Sequence, residues 1–210
     1  MKPLFDLAAA LTHLRAADPK LARVIDRARP CDLAPHRQRS LFDVLLRAIV
    51  AQQLNGKAAA AILARVEALF PQSRPEPRAL LALPDEPLRA AGLSANKLAS
   101  LRDLAAKTVD GTVPTPAAAR KLSDAELVAH LTAVRGIGPW TVHMLLMFDL
   151  GRPDVLPTGD FGVREGFRKL HRKRRQPTPA ELERYAERWR PYRSVAAWYL
   201  WRVHEIELPR

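Results

Sequence analysis

Residues 131–167 read LTAVRGIGPWTVHMLLMFDLGRPDVLPTGDFGVREGF, and this stretch decides the fold. Apolar residues keep a helical spacing before and after the segment Gly136-Ile137-Gly138, which predicts two helices joined by a tight turn. We expect a positive φ at one of the two glycines, because a residue without a side chain adopts it readily. The backbone N–H groups of such a turn can reach a phosphate oxygen, and its carbonyl groups can bind a cation. A plain corner between two helices is the alternative for this pattern taken alone.

The loop after the second predicted helix adds a proline and an acid to the pattern. It reads Leu156-Pro157-Thr158-Gly159-Asp160, and Asp160 stands at the start of another predicted helix. At this separation from the glycine turn, the loop resembles the helix-hairpin-helix and Gly/Pro…Asp motif of the DNA glycosylase superfamily (HhH-GPD). The resemblance is to its AlkA-like branch, the 3-methyladenine DNA glycosylase II type. The sequence departs from the family pattern at Arg135, often a proline, and at Gly159, often a polar or acidic residue.

The composition is strongly basic. The chain has 34 Lys and Arg residues against 22 Asp and Glu, a formal net charge of +12 and a sequence pI of about 10.6. This balance is typical of proteins that bind polyanions. The alternative is a basic bias of the whole proteome, since alanine and arginine abound as they do in GC-rich bacterial genomes. The basic run Arg168–Arg175 fits either view, as a contact to DNA phosphate or as a solvated loop.

Cysteine content and hydropathy limit the class of protein further. Cys31 is the only cysteine, which excludes an intramolecular disulfide and the four-cysteine iron–sulfur cluster that several relatives of this fold carry. No apolar run reaches the roughly 18 residues of a membrane span, and no cleavable signal pattern is present. We therefore expect a soluble cytoplasmic protein without membrane association. We also expect a monomer associated with the nucleoid of a bacterium.

The sequence predicts an all-α fold, because it contains no alternating apolar run and no Asn-Gly hairpin. Capping boxes at 123–126 and 178–181 mark the starts of two helices. Further helices are predicted over 4–17, 19–29, 40–54, 57–69, 78–83, 85–91, 95–109 and 192–205, with a Pro-containing passage at 30–39.

By resemblance, the helices form the two-lobed helix-hairpin-helix DNA glycosylase fold, with the active-site cleft between the lobes. Residues 39–147 are expected to form a six-helix lobe that contains the helix-hairpin-helix. Residues 1–38 and 148–210 are expected to form the second helical lobe. From the 210 residues, we do not expect the N-terminal β-domain that longer AlkA proteins of some bacteria carry.

Asp160 is the predicted catalytic residue, a role that the resemblance implies. Cleavage of an N-glycosidic bond passes through an oxocarbenium-like sugar. A carboxylate at a helix N-terminus is favoured as the anion by the helix dipole. Asp160 can then stabilise the developing positive charge and orient or deprotonate the attacking water. An N-cap is the ordinary role of Asp at such a position, and the two roles are compatible.

The side chains expected around the extruded base are two tryptophans and a flexible methionine. Trp140 occupies the position where relatives with lyase activity carry a Schiff-base lysine, so a monofunctional enzyme without a covalent intermediate is expected. Its ring can stack on a cationic alkylated purine. Trp201 maps onto a second pocket tryptophan of the family, with a core aromatic of the last helix as the alternative. Met144 stands where the branch often has an aromatic, which indicates a wider or softer pocket.

Contacts to DNA are implied at further positions. At the end of the helix over 40–54, Gln52 maps onto a supporting glutamine and Gln53 onto the wedge that fills the gap left by the flipped nucleotide. Two glutamines at a frayed helix end are the alternative. Phosphate binding is predicted for Arg135, Gly136, Ile137, Gly138 and Lys97. For Lys97, a solvated side chain is the alternative.

No catalytic cofactor is expected. His143 and Cys31 have no partner at metal-ligand spacing, so a zinc site is not predicted. Any cation at the hairpin would be Na+ or K+, held by the backbone carbonyls of Val134, Arg135 and Ile137.

The resemblance implies a monofunctional DNA glycosylase of base excision repair that hydrolyses alkylated bases, such as 3-methyladenine, from double-stranded DNA. One alternative is a non-catalytic helix-hairpin-helix DNA-binding module, against which Asp160 argues. The other is a glycosylase for other damaged bases, including a lyase for oxidised bases, against which Trp140 argues.

Overall fold

The computed structural model describes residues 4–33 and 40–206, and within these ranges it contains helices and no β-strand. The all-α prediction is confirmed. The predicted lobe boundary at residue 39 and most of the passage at 30–39 lie outside the described residues. The helices are α1 (Leu7–Ala17), α2 (Pro19–Ile25), α3 (Leu41–Ala51), α4 (Gly56–Glu67), α5 (Pro77–Ala82), α6 (Asp85–Ala90), α7 (Ala95–Val109), α8 (Pro116–Ala119), α9 (Asp124–Thr132), α10 (Pro139–Met144), α11 (Phe161–Leu170), α12 (Pro179–Ala186) and α13 (Arg193–Arg202).

Local caps set several helix starts. In the first predicted capping box, the Ser123 hydroxyl accepts the Glu126 N–H and the Glu126 carboxylate accepts the Ser123 N–H. Thr178 and Glu181 form the same reciprocal pair at the start of α12. Each box satisfies backbone donors that a helix start otherwise leaves unpaired. Both predicted boxes are confirmed.

Several predicted helix ends were placed too late, and in two of them the backbone shows the cause. Helix α2 ends at Ile25 because the N–H groups of Arg27 and Ala28 both turn back to the Val24 carbonyl. Helix α3 ends at Ala51, where the chain leaves the helical region: Gln52 has φ −51° and ψ 132°, and Gln53 has φ 59°. The spacing of apolar residues gives no sign of such a change in backbone conformation, so it predicts helices that continue too far.

Residues 40–142 belong to one compact unit. Helix α7 packs against α3, α5 and α6 and contributes Leu101 and Leu104 to the core without solvent exposure. The Arg102 guanidinium donates to two carbonyl groups at the end of α5, so the same helix also closes a helix C-terminus.

Residues 4–33 and 143–206 belong to the second unit, which is centred on α13. The residues Ser194–Leu200 are all buried, as expected for a helix surrounded by α1, α2 and α11. Helix α11 packs closely on α13 at Gly166, where a Cβ atom would lie 2.0 Å from the Leu200 carbonyl oxygen. A glycine is therefore required at this crossing.

A buried carboxylate joins separate segments of this second unit. Asp18 is 1% exposed and caps α2 by accepting two backbone N–H groups on Oδ1. Its Oδ2 accepts the Tyr185 hydroxyl at 3.1 Å and the Trp189 indole N–H at 3.2 Å. The His171 ring lies beside it, and burial lowers the pKa of His171 to about 4, so the ring is neutral at neutral pH.

Asp18→Ala is expected to lower the free energy of unfolding by roughly 3 kcal/mol, because it removes an N-cap and leaves the buried Trp189 and the half-buried Tyr185 without an acceptor. Asp6→Ala is the matched control, since Asp6 caps α1 with two N–H bonds at an exposed site. Its cost should be about 1 kcal/mol. Urea unfolding followed by circular dichroism measures both. Equal losses would show that the bonds to Tyr185 and Trp189 add nothing to the cap.

Candidate active site

Asp160 is the N-cap of α11, as predicted. Its Oδ1 accepts the Val163 N–H at 2.7 Å and the Trp201 indole N–H at 2.8 Å. The first bond places the carboxylate at the positive end of the helix dipole. The second is a charge-assisted bond from a rigid ring, which fixes the orientation of the carboxylate.

Trp201 is neither a plain core aromatic nor a free ring. It is half-buried and stacks on Phe148, with ring centroids 5.9 Å apart and an interplanar angle of 25°. Gly162 makes room for it, because a Cβ there would lie 2.8 Å from Trp201 Cδ1 and 3.2 Å from Asp160 Oδ1. The absence of a side chain at Gly162 therefore permits the contact between Trp201 and Asp160.

Sequence reasoning missed Phe148 and Gly162. Phe148 lies in a π-helical turn, Leu145–Asp149, in which the Leu150 N–H bonds to the Leu145 carbonyl at 3.0 Å. Such turns occur frequently at functional sites, but they have no simple sequence pattern. For Gly162 a signal existed: glycines at 162 and 166 lie one turn apart in α11, where glycine is otherwise unfavourable.

The glycine turn in the other unit has the predicted backbone. Gly136 has φ +78°, while Gly138 is not among the residues with positive φ, so the expectation of one such glycine is confirmed. A Cβ at Gly136 would lie 2.9 Å from Ser100 Oγ, so the turn packs closely on α7. The Gln52 side-chain amide donates to the Gly136 carbonyl at 2.8 Å. Gln52 and the exposed Gln53 therefore form an ordered turn beside the hairpin rather than a frayed helix end.

Two cationic residues predicted to bind phosphate lie in the same unit. Arg135 has an exposed side chain, and its backbone N–H donates to Asp103 Oδ2 at 2.7 Å. Lys97 donates its ammonium to the Val50 carbonyl near the end of α3, and burial lowers the pKa of Lys97. Lys97 is thus not a freely solvated lysine, and its contact with phosphate stays a prediction.

The predicted base-pocket residues on α10 differ in exposure. Trp140 is 52% exposed in the first turn of α10, although large aromatic side chains are usually mostly buried. Met144, the last residue of α10, is half-buried. The pocket roles of Trp140, Met144 and Trp201 stay predictions.

The described residues do not support a cysteine nucleophile, a clustered metal site or a membrane-spanning helix. Burial raises the pKa of Cys31 to about 11, so its thiol is a poor nucleophile near neutral pH. Within residues 4–33 and 40–206, no three His, Cys, Asp or Glu side chains are grouped in a way that would hold a metal ion. In the same ranges, no helix combines the length and apolarity that crossing a bilayer requires.

The sequence of residues 46–191 matches the HhH-GPD superfamily of base excision DNA repair proteins. The chain belongs to this superfamily. The resemblance inferred from the glycine turn and Asp160 is thereby confirmed.

Relatives within the HhH-GPD superfamily match nearly the whole chain. DNA-3-methyladenine glycosylase 1 of Schizosaccharomyces pombe is 37% identical over 95% of this chain and 89% of its own. A structure of S. pombe 3-methyladenine DNA glycosylase in complex with abasic DNA has a TM-score of 0.80 at 37% identity, covering 94% and 97% of the two chains. The DNA-3-methyladenine glycosidase of Bacillus halodurans has a TM-score of 0.86 at 33% identity, covering 96% and 92%. The predicted glycosylase fold class is confirmed.

Proposed function

We propose that this HhH-GPD protein is a monofunctional DNA glycosylase of base excision repair that removes alkylated bases, such as 3-methyladenine, from double-stranded DNA. The observation that carries the proposal is the carboxylate of Asp160, which caps α11 and is held by the Trp201 indole. A relative named DNA-3-methyladenine glycosylase 1, 37% identical over 95% of this chain, supports the choice of substrate class.

The reaction requires little more than a correctly placed anion. Alkylation at a ring nitrogen makes the purine cationic, so the C1′–N bond can break with its electron pair going to the base and no general acid. The sugar then carries oxocarbenium-like positive charge, which the Asp160 carboxylate stabilises. Water adds to C1′ and loses a proton, with Asp160 placed to orient it or accept the proton. The products are the free base and an intact abasic site.

Trp140 limits this chemistry to hydrolysis. An indole has no amine that could form a Schiff base with the sugar, so no covalent intermediate forms through this position. Its exposed ring instead offers a π-face to a cationic base. Trp201 and Met144 are two further residues that we propose to contact the base.

The hairpin and the neighbouring turn are the proposed DNA contacts. Backbone N–H groups at Gly136 and Gly138 bind phosphate, together with the exposed Arg135 side chain. The Ile137 N–H, which the sequence also predicted to bind phosphate, donates to the Val134 carbonyl instead. Gln53 fills the gap left by the flipped nucleotide, and its left-handed backbone (φ 59°) turns this residue out of α3. Gln52 supports the wedge through its bond to the Gly136 carbonyl.

We propose no catalytic cofactor. The carbonyls of Val134, Arg135 and Ile137 would form an oxygen-only donor set, which suits Na+ or K+. The Val134 carbonyl already accepts the Ile137 N–H at 3.1 Å, which leaves it a second lone pair for an ion. A cation there would add positive charge beside the DNA phosphate. The protein is proposed to act as a monomer on the DNA of a bacterial nucleoid.

Base release from methylated duplex DNA, with the released bases separated by chromatography, tests this function. The expected result is release of 3-methyladenine or a related alkylated purine and no borohydride-trapped adduct. DNA binding without release of any base would favour a non-catalytic helix-hairpin-helix module. A trapped adduct would favour a lyase and contradict the role given to Trp140.

Trp201→Phe is expected to lower the rate of base release about tenfold, because the ring remains on Phe148 but the charge-assisted bond to Asp160 is lost. Trp198→Phe is the matched control. Trp198 is on the same helix as Trp201, and its indole also donates to a carboxylate, Asp32 Oδ1, at 2.9 Å. The maximal rate should fall only for Trp201→Phe, with unchanged affinity for undamaged DNA. An equal loss of the maximal rate in both variants would show that the bond between Trp201 and Asp160 has only a structural role.

A further inference from the structure

A pocket of about 520 Å³ lies within the second unit, between the C-terminal end of α11 and α12. Five cationic side chains and one carboxylate contribute to its wall: Lys173, Arg174, Arg175, Arg184, Arg188 and Glu181. Phe167, the α11 residue in the pocket wall, lies seven residues after Asp160, so roughly 10 Å of helix separates the two. The pocket is therefore distinct from the candidate active site.

Arg188 is held in place before any ligand arrives. Its guanidinium carbon lies 3.9 Å from the centre of the Tyr185 ring, and its Nε donates to the Tyr185 carbonyl at 3.1 Å. Tyr185 is in turn fixed by the bond from its hydroxyl to the buried Asp18. Ordering a long side chain usually weakens binding, and here that loss has already occurred on folding. The terminal nitrogens of Arg188 have no hydrogen-bond partner within residues 4–33 and 40–206.

The other cations of the pocket are unevenly neutralised. Arg184 has no carboxylate partner in the described part of the chain, and it lies one turn from Arg188, where like charges repel. Arg175 binds Glu181 through two parallel bonds of 2.8 Å each, but both side chains are exposed. This pair shows the fork geometry with which arginine recognises carboxylate and phosphate. A ligand with several negative charges would relieve the repulsion.

We propose that this pocket binds the phosphate groups of a nucleotide, at a site separate from the one that receives the damaged base. Adjacent phosphates carry two or more charges at close spacing, which matches a fixed arginine surrounded by further cations. The volume admits a pyrophosphate-sized group with its hydration. The nucleotide is either free in solution or part of a DNA strand, since both present the same phosphate chemistry.

Inorganic pyrophosphate is the probe for this site. Calorimetry at low salt, with ¹⁵N NMR to map the shifted residues, is expected to show one saturable site centred on α12 and the loop at 173–177. Arg184→Gln/Arg188→Gln should weaken binding at least about tenfold. The control is Arg23→Gln/Arg27→Gln, which removes the same charge from two exposed arginines that are also four residues apart. It should change the affinity for pyrophosphate less than twofold. Absence of saturable binding, or equal weakening by both pairs, would overturn the proposal.

A second variant guards against effects on folding. Lys173→Gln/Arg174→Gln changes two exposed loop residues that line the same pocket. It should also weaken pyrophosphate binding, with an unchanged circular dichroism spectrum. Unaltered binding in this variant would contradict the proposed site.

Undamaged duplex DNA distinguishes the two sources of phosphate. If the site takes a DNA strand, Arg184→Gln/Arg188→Gln will lower duplex affinity and reduce the slope of log K against log salt by about one to two. If it takes a free nucleotide, duplex affinity will not change and pyrophosphate will bind equally well to DNA-saturated protein. In both cases base release at saturating enzyme should match wild type. A parallel loss of base release would contradict a separate site without affecting the proposed glycosylase function.

Discussion

Replacing Asp160 by asparagine is expected to reduce base release from methylated duplex DNA by at least about a hundredfold, because removal of one preorganised electrostatic group from an active site has effects of this size. The fold should be retained. Asparagine caps helices about as well as aspartate, and its amide oxygen can accept both bonds that Oδ1 now accepts, from Val163 and Trp201. The substitution therefore removes the charge and little else.

Single-turnover release of alkylated purines, wild type beside variant, measures this effect. Asp6→Asn is the matched control, since Asp6 caps α1 through Oδ1 at an exposed position. It should retain full activity. The unfolding free energy of both variants should stay within about 1 kcal/mol of wild type, since both caps are kept. Equal release from wild type and Asp160→Asn would remove Asp160 from the mechanism.

The features that the sequence predicted correctly are local ones. The capping boxes, the positive φ within the glycine turn and the cap formed by Asp160 each depend on a few neighbouring residues. Helix α7 follows its apolar periodicity over the whole predicted range 95–109. Interactions among neighbouring residues produce these features, so they can be recognised without knowledge of the rest of the fold.

The contacts that organise the site join residues far apart in the chain. The bond between Trp201 and Asp160 spans 41 positions, and that between Gln52 and the Gly136 carbonyl spans 84. No periodicity or spacing rule specifies such a pair. The resemblance to known glycosylases placed these residues near the chemistry, but the partner of each became visible only in the folded chain.

The basic run at 168–175 shows a further limit of sequence reasoning. From the sequence it was either a DNA contact or a solvated loop. In the structure its members separate: Arg168 pairs with Glu165, while Lys173, Arg174 and Arg175 line the basic pocket, where Arg175 pairs with Glu181. Charge patterning identifies a cationic segment, whereas the fold determines which of its cations remain available.

Gly166→Ala is expected to destabilise the second unit by roughly 3 kcal/mol or more, which is large for a single added methyl group. The new Cβ would lie 2.0 Å from the Leu200 carbonyl oxygen, and a collision with backbone cannot be relieved by a change of rotamer. Helix α11 must then move away from α13. Because Asp160 is on the first helix and Trp201 on the second, this movement should also lengthen their hydrogen bond and reduce base release in the protein that remains folded.

The control for this substitution is Gly159→Ala, one residue before Asp160. No atom lies within 4 Å of a Cβ at Gly159, so alanine should change the unfolding free energy by less than about 1 kcal/mol. Thermal and urea unfolding, with base release measured below the transition, compare the two variants. A stable and fully active Gly166→Ala protein would mean that α11 and α13 need not approach so closely. The position of the Asp160 carboxylate would then depend on its cap and on the Trp201 bond rather than on the glycine crossing.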